Sequence, residues 1–301
     1  MSGLGAALAE HLARRGARHL VLVGRRGADS PEAPALLTRL AEAGARVTAV
    51  AADVGDREAM REVFADADGA GRPVRGVLHA AMVLDDAPLA ELTAERFDAV
   101  LHPKVRGAAV LSELTTDRDL DFFQVCSSVT TLGGNKLQGA YVAANAYLEA
   151  LVRRRRAEGR PGTAQVLGAV AETGFVVRSG LAPTLHRMGL GSVAPARIWW
   201  AFERQLAHGP DVGVFGRMDW ERVGQLFAGL NRPAFAAYLR DTSRTGVSRA
   251  EALRSRIAGL PDDEAADIVC AELASLVAEV LQTTPNASTA PASWTGWAST
   301  R

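Results

Sequence analysis

A chain of 301 residues that is 48% hydrophobic and balances 34 basic against 34 acidic side chains can bury a sizeable core and lacks the basic excess of a nucleic-acid surface. Two cysteines, Cys126 and Cys270, do not make a disulfide framework or a zinc site. With no long apolar run and no charged-then-apolar leader, the chain reads as a soluble cytoplasmic protein with no membrane partner, of about two domains by length.

The opening M-S-G-L-G-A-A-L-A-E-H-L-A-R-R-G is a glycine turn entering a helix, with Gly16 as its stop. His19 to Gly24 reads as a buried strand, Ala35 to Ala43 as a helix, Val47 to Ala52 as a strand and Asp56 to Ala67 as a helix. Val74 to Ala81 is the next strand, followed by a helical pattern from Leu92 to Leu114 interrupted at Pro103, then a strand from Asp121 to Cys126. Ala164 to Val170 is a further strand, Pro195 to Ala207 an amphipathic helix, and Asp211 to Gly216 a closing strand. This alternation predicts an α/β fold with a doubly wound parallel sheet. Glu172 to Val193, apolar but broken by glycines and a proline, suits a substrate lid. Arg240 to Arg249 reads as a linker, and two helices, Ala250 to Ala258 and Asp262 to Leu281, follow it.

Ser128 follows the Asp121–Cys126 strand, at the carboxyl end where open α/β sheets place ligands. Tyr141 lies thirteen positions on, and Asn145 four beyond it, on the same helix face. A strand-end hydroxyl, a phenol and an amide around one crevice suit carbonyl reduction. The hydroxyl holds the ketone oxygen, the phenol protonates it, and the amide orders a water. His11, His102, His186 and His208 have no spacing that suggests metal ligation.

Ser128, Tyr141 and a polar residue at Asn145 resemble the short-chain dehydrogenase/reductase superfamily. Most members carry Tyr-x-x-x-Lys. Here the lysine stands upstream as Lys104, in H-P-K-V-R-G-A, with Asn145 in its usual place. That exchange resembles the ketoreductase domains of type I polyketide synthases, over roughly residues 1–240. The resemblance implies a Rossmann-like fold with Tyr141 as general acid and Ser128 binding the substrate oxygen. Lys104 would lower the phenol pKa and hold the nicotinamide ribose, and Asn145 would position a water.

The family carries T-G-G-x-x-G-L-G after its first strand, and this chain begins M-S-G-L-G. Gly3, Leu4 and Gly5 fit the end of that motif, where backbone approaches pyrophosphate at a helix N-terminus. The earlier glycines, the first strand and the structural subdomain preceding them are expected to be missing, as in an N-terminal truncation. Arg25 and Arg26 follow the next strand where NAD-binding folds carry an acid, which favours the 2′-phosphate of NADPH. By resemblance, Asp53 and Val54 would contact adenine, and His79, Ala80 and Ala81 the adenosine ribose. Leu84-Asp85-Asp86 matches the fingerprint of ketoreductases that give the D-configured (R) alcohol; the opposite class carries tryptophan where Gly133 stands.

The resemblance thus implies a ketoreductase catalytic domain over 1–239, a linker over 240–249 and a partial acyl carrier protein domain over 250–286. It further implies a β-ketoacyl substrate tethered to a carrier, with other synthase domains as partners. The tail over 287–301 lacks the carrier pattern. In a shifted frame with permitted GC-rich codons it becomes a carrier-like run ending in Asp-Ser, so it is either a frameshift or a natural polar tail, expected disordered. Two rival functions stand beside the reductase: an inactive or partner-dependent fragment, and a freestanding reductase of a diffusible ketone.

Overall fold

The computed structural model describes residues 1–230, 232–242 and 249–281, in two compact units divided between Ala236 and Ala237. In the first, helices and parallel strands alternate as the apolar periodicity predicts. The strands are β1 (His19–Gly24), β2 (Arg46–Ala51), β3 (Gly76–His79), β4 (Phe122–Ser128), β5 (Thr163–Leu167) and β6 (Val212–Phe215). β1 pairs in parallel with β2, from His19 opposite Arg46 to Gly24 opposite Ala51. The other four form a second parallel sheet in the order β3-β4-β5-β6.

Both faces are covered by helices. One face of β4 carries Phe123 and Val125 into a core with Met60, Val63 and Phe64 of α3 (Arg57–Gly69) and with α5 (Gly107–Leu114; α4 is Ala94–Leu101). Leu148, Leu151 and Val152 of α6 (Gly139–Ala157) complete that core. The other face carries Phe122 and Cys126 against Leu8 of α1 (Gly3–Arg14) and Ile198, Trp199 and Phe202 of α7 (Pro195–His208). Period-two alternation in β4 therefore feeds two cores, as a doubly wound Rossmann-like sheet requires. α2 (Ala33–Glu42) packs Leu36 and Leu40 against Ala9 and Ala13 of α1.

Local sequence sets the helix ends. Asp56 accepts from Glu58 N at 3.0 Å and Ala59 N at 3.1 Å, capping α3. Thr93 caps α4 through Arg96 N. Gly16, at φ 105°, stops α1. The interruption expected at Pro103 is a π-helical turn over His102–Arg106 between α4 and α5. Proline has no N–H for the α-helical bond, and the widened turn absorbs the loss.

No described strand joins β1 to β3. The whole of β1 and residues 72–76 beside β3 border one cavity of about 1980 Å³. The sheet is thus split where the first strand was expected to be missing. The expected lid contains two short helices, Phe175–Arg178 and Ala182–Arg187, and ends in Leu190–Gly191, paired antiparallel with Arg217–Met218.

The helix Ala236–Thr242 runs into the stretch read as linker. The second unit contains α8 (Arg249–Ile257) and α9 (Asp262–Leu281), joined through Gly259 at φ 81°, with Arg256 and Glu272 paired at 3.2 Å. The rest of the linker (243–248) and the tail over 287–301 lie outside the described residues. No helix among the described residues is long and apolar enough to cross a membrane.

Candidate active site

Ser128 is the last residue of β4, and its hydroxyl oxygen accepts from Thr130 N at 3.3 Å and Thr130 Oγ1 at 3.1 Å. Both contacts occupy lone pairs and leave the Ser128 O–H to donate outward. Tyr141 sits in the first turn of α6, beside Met82 Sδ at 4.0 Å from its hydroxyl. Lys104 reaches the same place from the π-turn. It is buried, its Nζ donates to Cys126 O at 2.8 Å, and it stands 5.4 Å from the centre of the Tyr141 ring. That is cation–π distance, and no direct Lys104–phenol hydrogen bond forms. Contrary to the lowering expected from Lys104, burial pushes the Tyr141 phenol up to about 12, with neighbouring Asn145 and Ser128 acting the other way. Burial pushes Lys104 down to about 8.

Lys104, Ser128 and Tyr141 line the large cavity together; Asn145 does not. Asn145 is fully buried one turn behind Tyr141, donating from Nδ2 to Tyr141 O at 2.7 Å, and its Oδ1 has no protein partner.

The other end of the cavity is lined by Gly3, Leu4 and Gly5 at the start of α1 and by Arg25 and Arg26 after β1. Asp53 and Val54 after β2, and Ala80 and Ala81 after β3, also line it. Ser2 gives α1 no side-chain cap and the first turn has no acid, so free N–H groups face the cavity. Arg25 and Arg26 are exposed, with no carboxylate paired to either among the described residues. This donor set fits a dinucleotide with anionic groups at two places.

His79 is not on the cavity wall. Its buried ring is bonded from Nε2 to Pro103 O at 2.9 Å, bracing the turn that carries Lys104. Asp53 Oδ1 accepts from Gly55 N at 2.7 Å and lies 2.9 Å from His102 Nε2, so the loop after β2 is tied to the same turn. Of Leu84, Asp85 and Asp86, only Leu84 lines the cavity. Asp85 forms a forked pair with Arg96 at 2.8 and 2.5 Å, and Asp86 accepts from Gln138 Nε2 at 2.9 Å. These bonds pin the loop beside the segment that leads into Tyr141.

Thr130, Met82, Arg96 and Gln138 escaped the sequence reading. For Thr130 the Ser-x-Thr spacing was a usable signal. The other three are remote in sequence from what they touch.

A family model described as "KR domain" matches residues 1–172, more than half of the 301 residues. Erythronolide synthase EryA3 of Saccharopolyspora erythraea is 42% identical over 218 residues, covering 72% of this chain and 7% of that protein. A phenolphthiocerol synthesis polyketide synthase of Mycobacterium tuberculosis, with "inactive" in its name, is 37% identical over 291 residues, covering 91% of this chain and 18% of that protein. The chain therefore spans less than a fifth of either relative. An A1-type ketoreductase structure aligns with a TM-score of 0.75 at 36% identity over 80% of this chain and 52% of that one. The first ketoreductase of the tylosin polyketide synthase aligns with a TM-score of 0.70 at 36% identity over 79% of this chain and 52% of that one. A reductase that uses a nicotinamide cofactor agrees with the hydroxyl, phenol and ammonium gathered at one end of the cavity and the anion-binding groups at the other, and the chain belongs to the KR family, the ketoreductase domains of polyketide synthases.

Proposed function

We propose that the chain reduces the β-keto group of an acyl thioester tethered to an acyl carrier protein, uses NADPH, and gives the D-configured (R) alcohol. The observation that carries this reading is the single cavity shared by Ser128, Tyr141 and Lys104 with the α1 N-terminus, Arg25 and Arg26. NADPH supplies the hydride. Ser128, its lone pairs occupied by Thr130, donates to the ketone oxygen and stabilises the charge that develops there. Tyr141 delivers the proton to that oxygen. The Lys104 ammonium over the ring favours the phenolate left behind and holds the nicotinamide ribose hydroxyls. Asn145 Oδ1, free of protein partners, orders a water behind the phenol for proton resupply. Gly3 and Gly5 admit the pyrophosphate to the helix N-terminus, Arg25 and Arg26 fork onto the 2′-phosphate, and Asp53, Val54, Ala80 and Ala81 border the adenosine. Leu84 shapes the substrate side, with Asp85 and Asp86 fixing its loop.

The reaction partner is a carrier domain within a larger synthase, and α8 and α9 are proposed as the start of one. A second reading, an inactive or partner-dependent fragment, is favoured by one observation: no described strand lies between β1 and β3. Incubating the protein with NADPH and a β-ketoacyl thioester, then resolving the alcohol on a chiral column, tests the proposal. The (R) alcohol is expected. The (S) alcohol overturns the stereochemical assignment, and no NADPH-dependent alcohol favours the second reading.

A further inference from the structure

The lid offers a guanidinium to the start of α1 that neither carbonyl chemistry nor 2′-phosphate recognition uses. Arg178 ends the short helix Phe175–Arg178 and lines the large cavity. Its Nη1 lies 3.7 Å from the point where a Cβ on Gly3 would stand, and Gly174 Cα lies 3.2 Å from that point. Gly3 opens a helix whose first turn holds no acid and whose N-cap makes no side-chain bond. A cation against the positive end of a helix dipole is unfavourable by itself. Arg178 is exposed, so water screens much of this repulsion, and among the described residues no carboxylate pairs with it. An anion held between the two removes the conflict, because guanidinium and helix N–H groups then both donate to it.

We infer that Arg178 is a clamp for the cofactor pyrophosphate, closing from the lid onto the phosphates held by α1. The inference rests on the reading that this cavity takes NADPH, and it assigns to the lid a part in binding the nucleotide. The backbone suits a closing element: Gly174 at φ 83° and Gly180 at φ 66° flank the helix in a region open to glycine. Both have free space where a side chain would stand.

The pyrophosphate is common to NADPH and NADH, whereas the 2′-phosphate facing Arg25 and Arg26 belongs to NADPH alone. Binding of each nucleotide, read by fluorescence titration without substrate, therefore separates the roles. Arg178→Ala is expected to weaken NADPH and NADH by the same factor, roughly tenfold. Arg178→Lys restores most of the loss, since an ammonium supplies the charge without the fork. Arg25→Ala weakens NADPH alone. If the unsubstituted protein binds NADPH and Arg178→Ala leaves both affinities unchanged, the clamp is overturned and the NADPH reading stands. A loss confined to NADPH also overturns it, because Arg178 would then read the 2′-phosphate. An unsubstituted protein that binds neither nucleotide overturns both.

Discussion

His79 braces the turn that carries Lys104 without lining the cavity. A histidine ordinarily titrates near 6.5; burial, and then the positive charge of Lys104, push His79 down to about 4. In the folded protein the ring therefore stays neutral while the unfolded chain takes up a proton between pH 6.5 and 4. Its contribution to stability is fully present above pH 6.5 and is lost as pH falls through that window, on the order of 3 kcal/mol. The melting temperature should accordingly drop between pH 6.5 and 4, and His79→Gln, which keeps a donor toward Pro103 O, should flatten that drop. Equal slopes in the two proteins would refute it. From the sequence, His79 could be placed at the end of a strand beside a nucleotide, but its ring direction could not. Alternation in β3 sends Val77 and His79 inward, and the partner, Pro103, lies 24 residues away. Ser128 and Tyr141 were legible because each sits at a strand end or helix turn whose geometry follows from local periodicity. Lys104 was legible only through the resemblance to ketoreductase domains, since the π-turn that carries it has no local signature. Asn145 was legible as a neighbour of Tyr141; its burial behind the phenol was not.

At the scale of elements, the turn after β1 is fixed by a glycine rather than by its arginines. Gly27 has φ 49°, and a Cβ there would stand 2.6 Å from Ala51 N and 2.9 Å from Ala51 Cα, both backbone atoms of β2. Gly27→Ala combines left-handed strain with a clash that cannot be relieved by a rotamer change. A loss of roughly 2–4 kcal/mol is expected, read as a lower urea midpoint, with weaker NADPH binding because Arg25 and Arg26 share the turn. An unchanged midpoint would show that the β1–β2 pair is not set by this contact. The order of strands and helices was readable from apolar runs and caps such as Asp56. The π-turn was not, since a proline in a helical pattern signals interruption without saying how the backbone absorbs it. The segment read as a lid was recognisable in the sequence as glycine-broken and apolar, yet the approach of Arg178 to Gly3 joins residues far apart in the chain.

At the scale of the molecule, the described strands form two separate parallel sheets, β1–β2 and β3–β6. Among the described residues, the β1 and β3 edges that face the cavity have no strand partner, and an unpaired sheet edge costs hydrogen bonds and invites association. A chain lengthened upstream by an extended apolar segment ending in Thr-Gly-Gly should melt at higher temperature and bind NADPH more tightly. No gain in either, with tight binding by the 301-residue chain alone, would contradict this. The gap was anticipated because a glycine motif without its strand is a pattern that sequence displays. The breadth of the resulting cavity depends on tertiary packing and is not a property of any local segment. The catalytic assignment itself is tested most directly by NADPH consumption with a β-ketoacyl thioester, comparing the unsubstituted protein with Tyr141→Phe and Lys104→Ala. Tyr141→Phe should lower turnover by about 10²–10⁴-fold while NADPH still binds, and Lys104→Ala should weaken both binding and turnover. Turnover unchanged in Tyr141→Phe would contradict the assignment of Tyr141 as the proton donor.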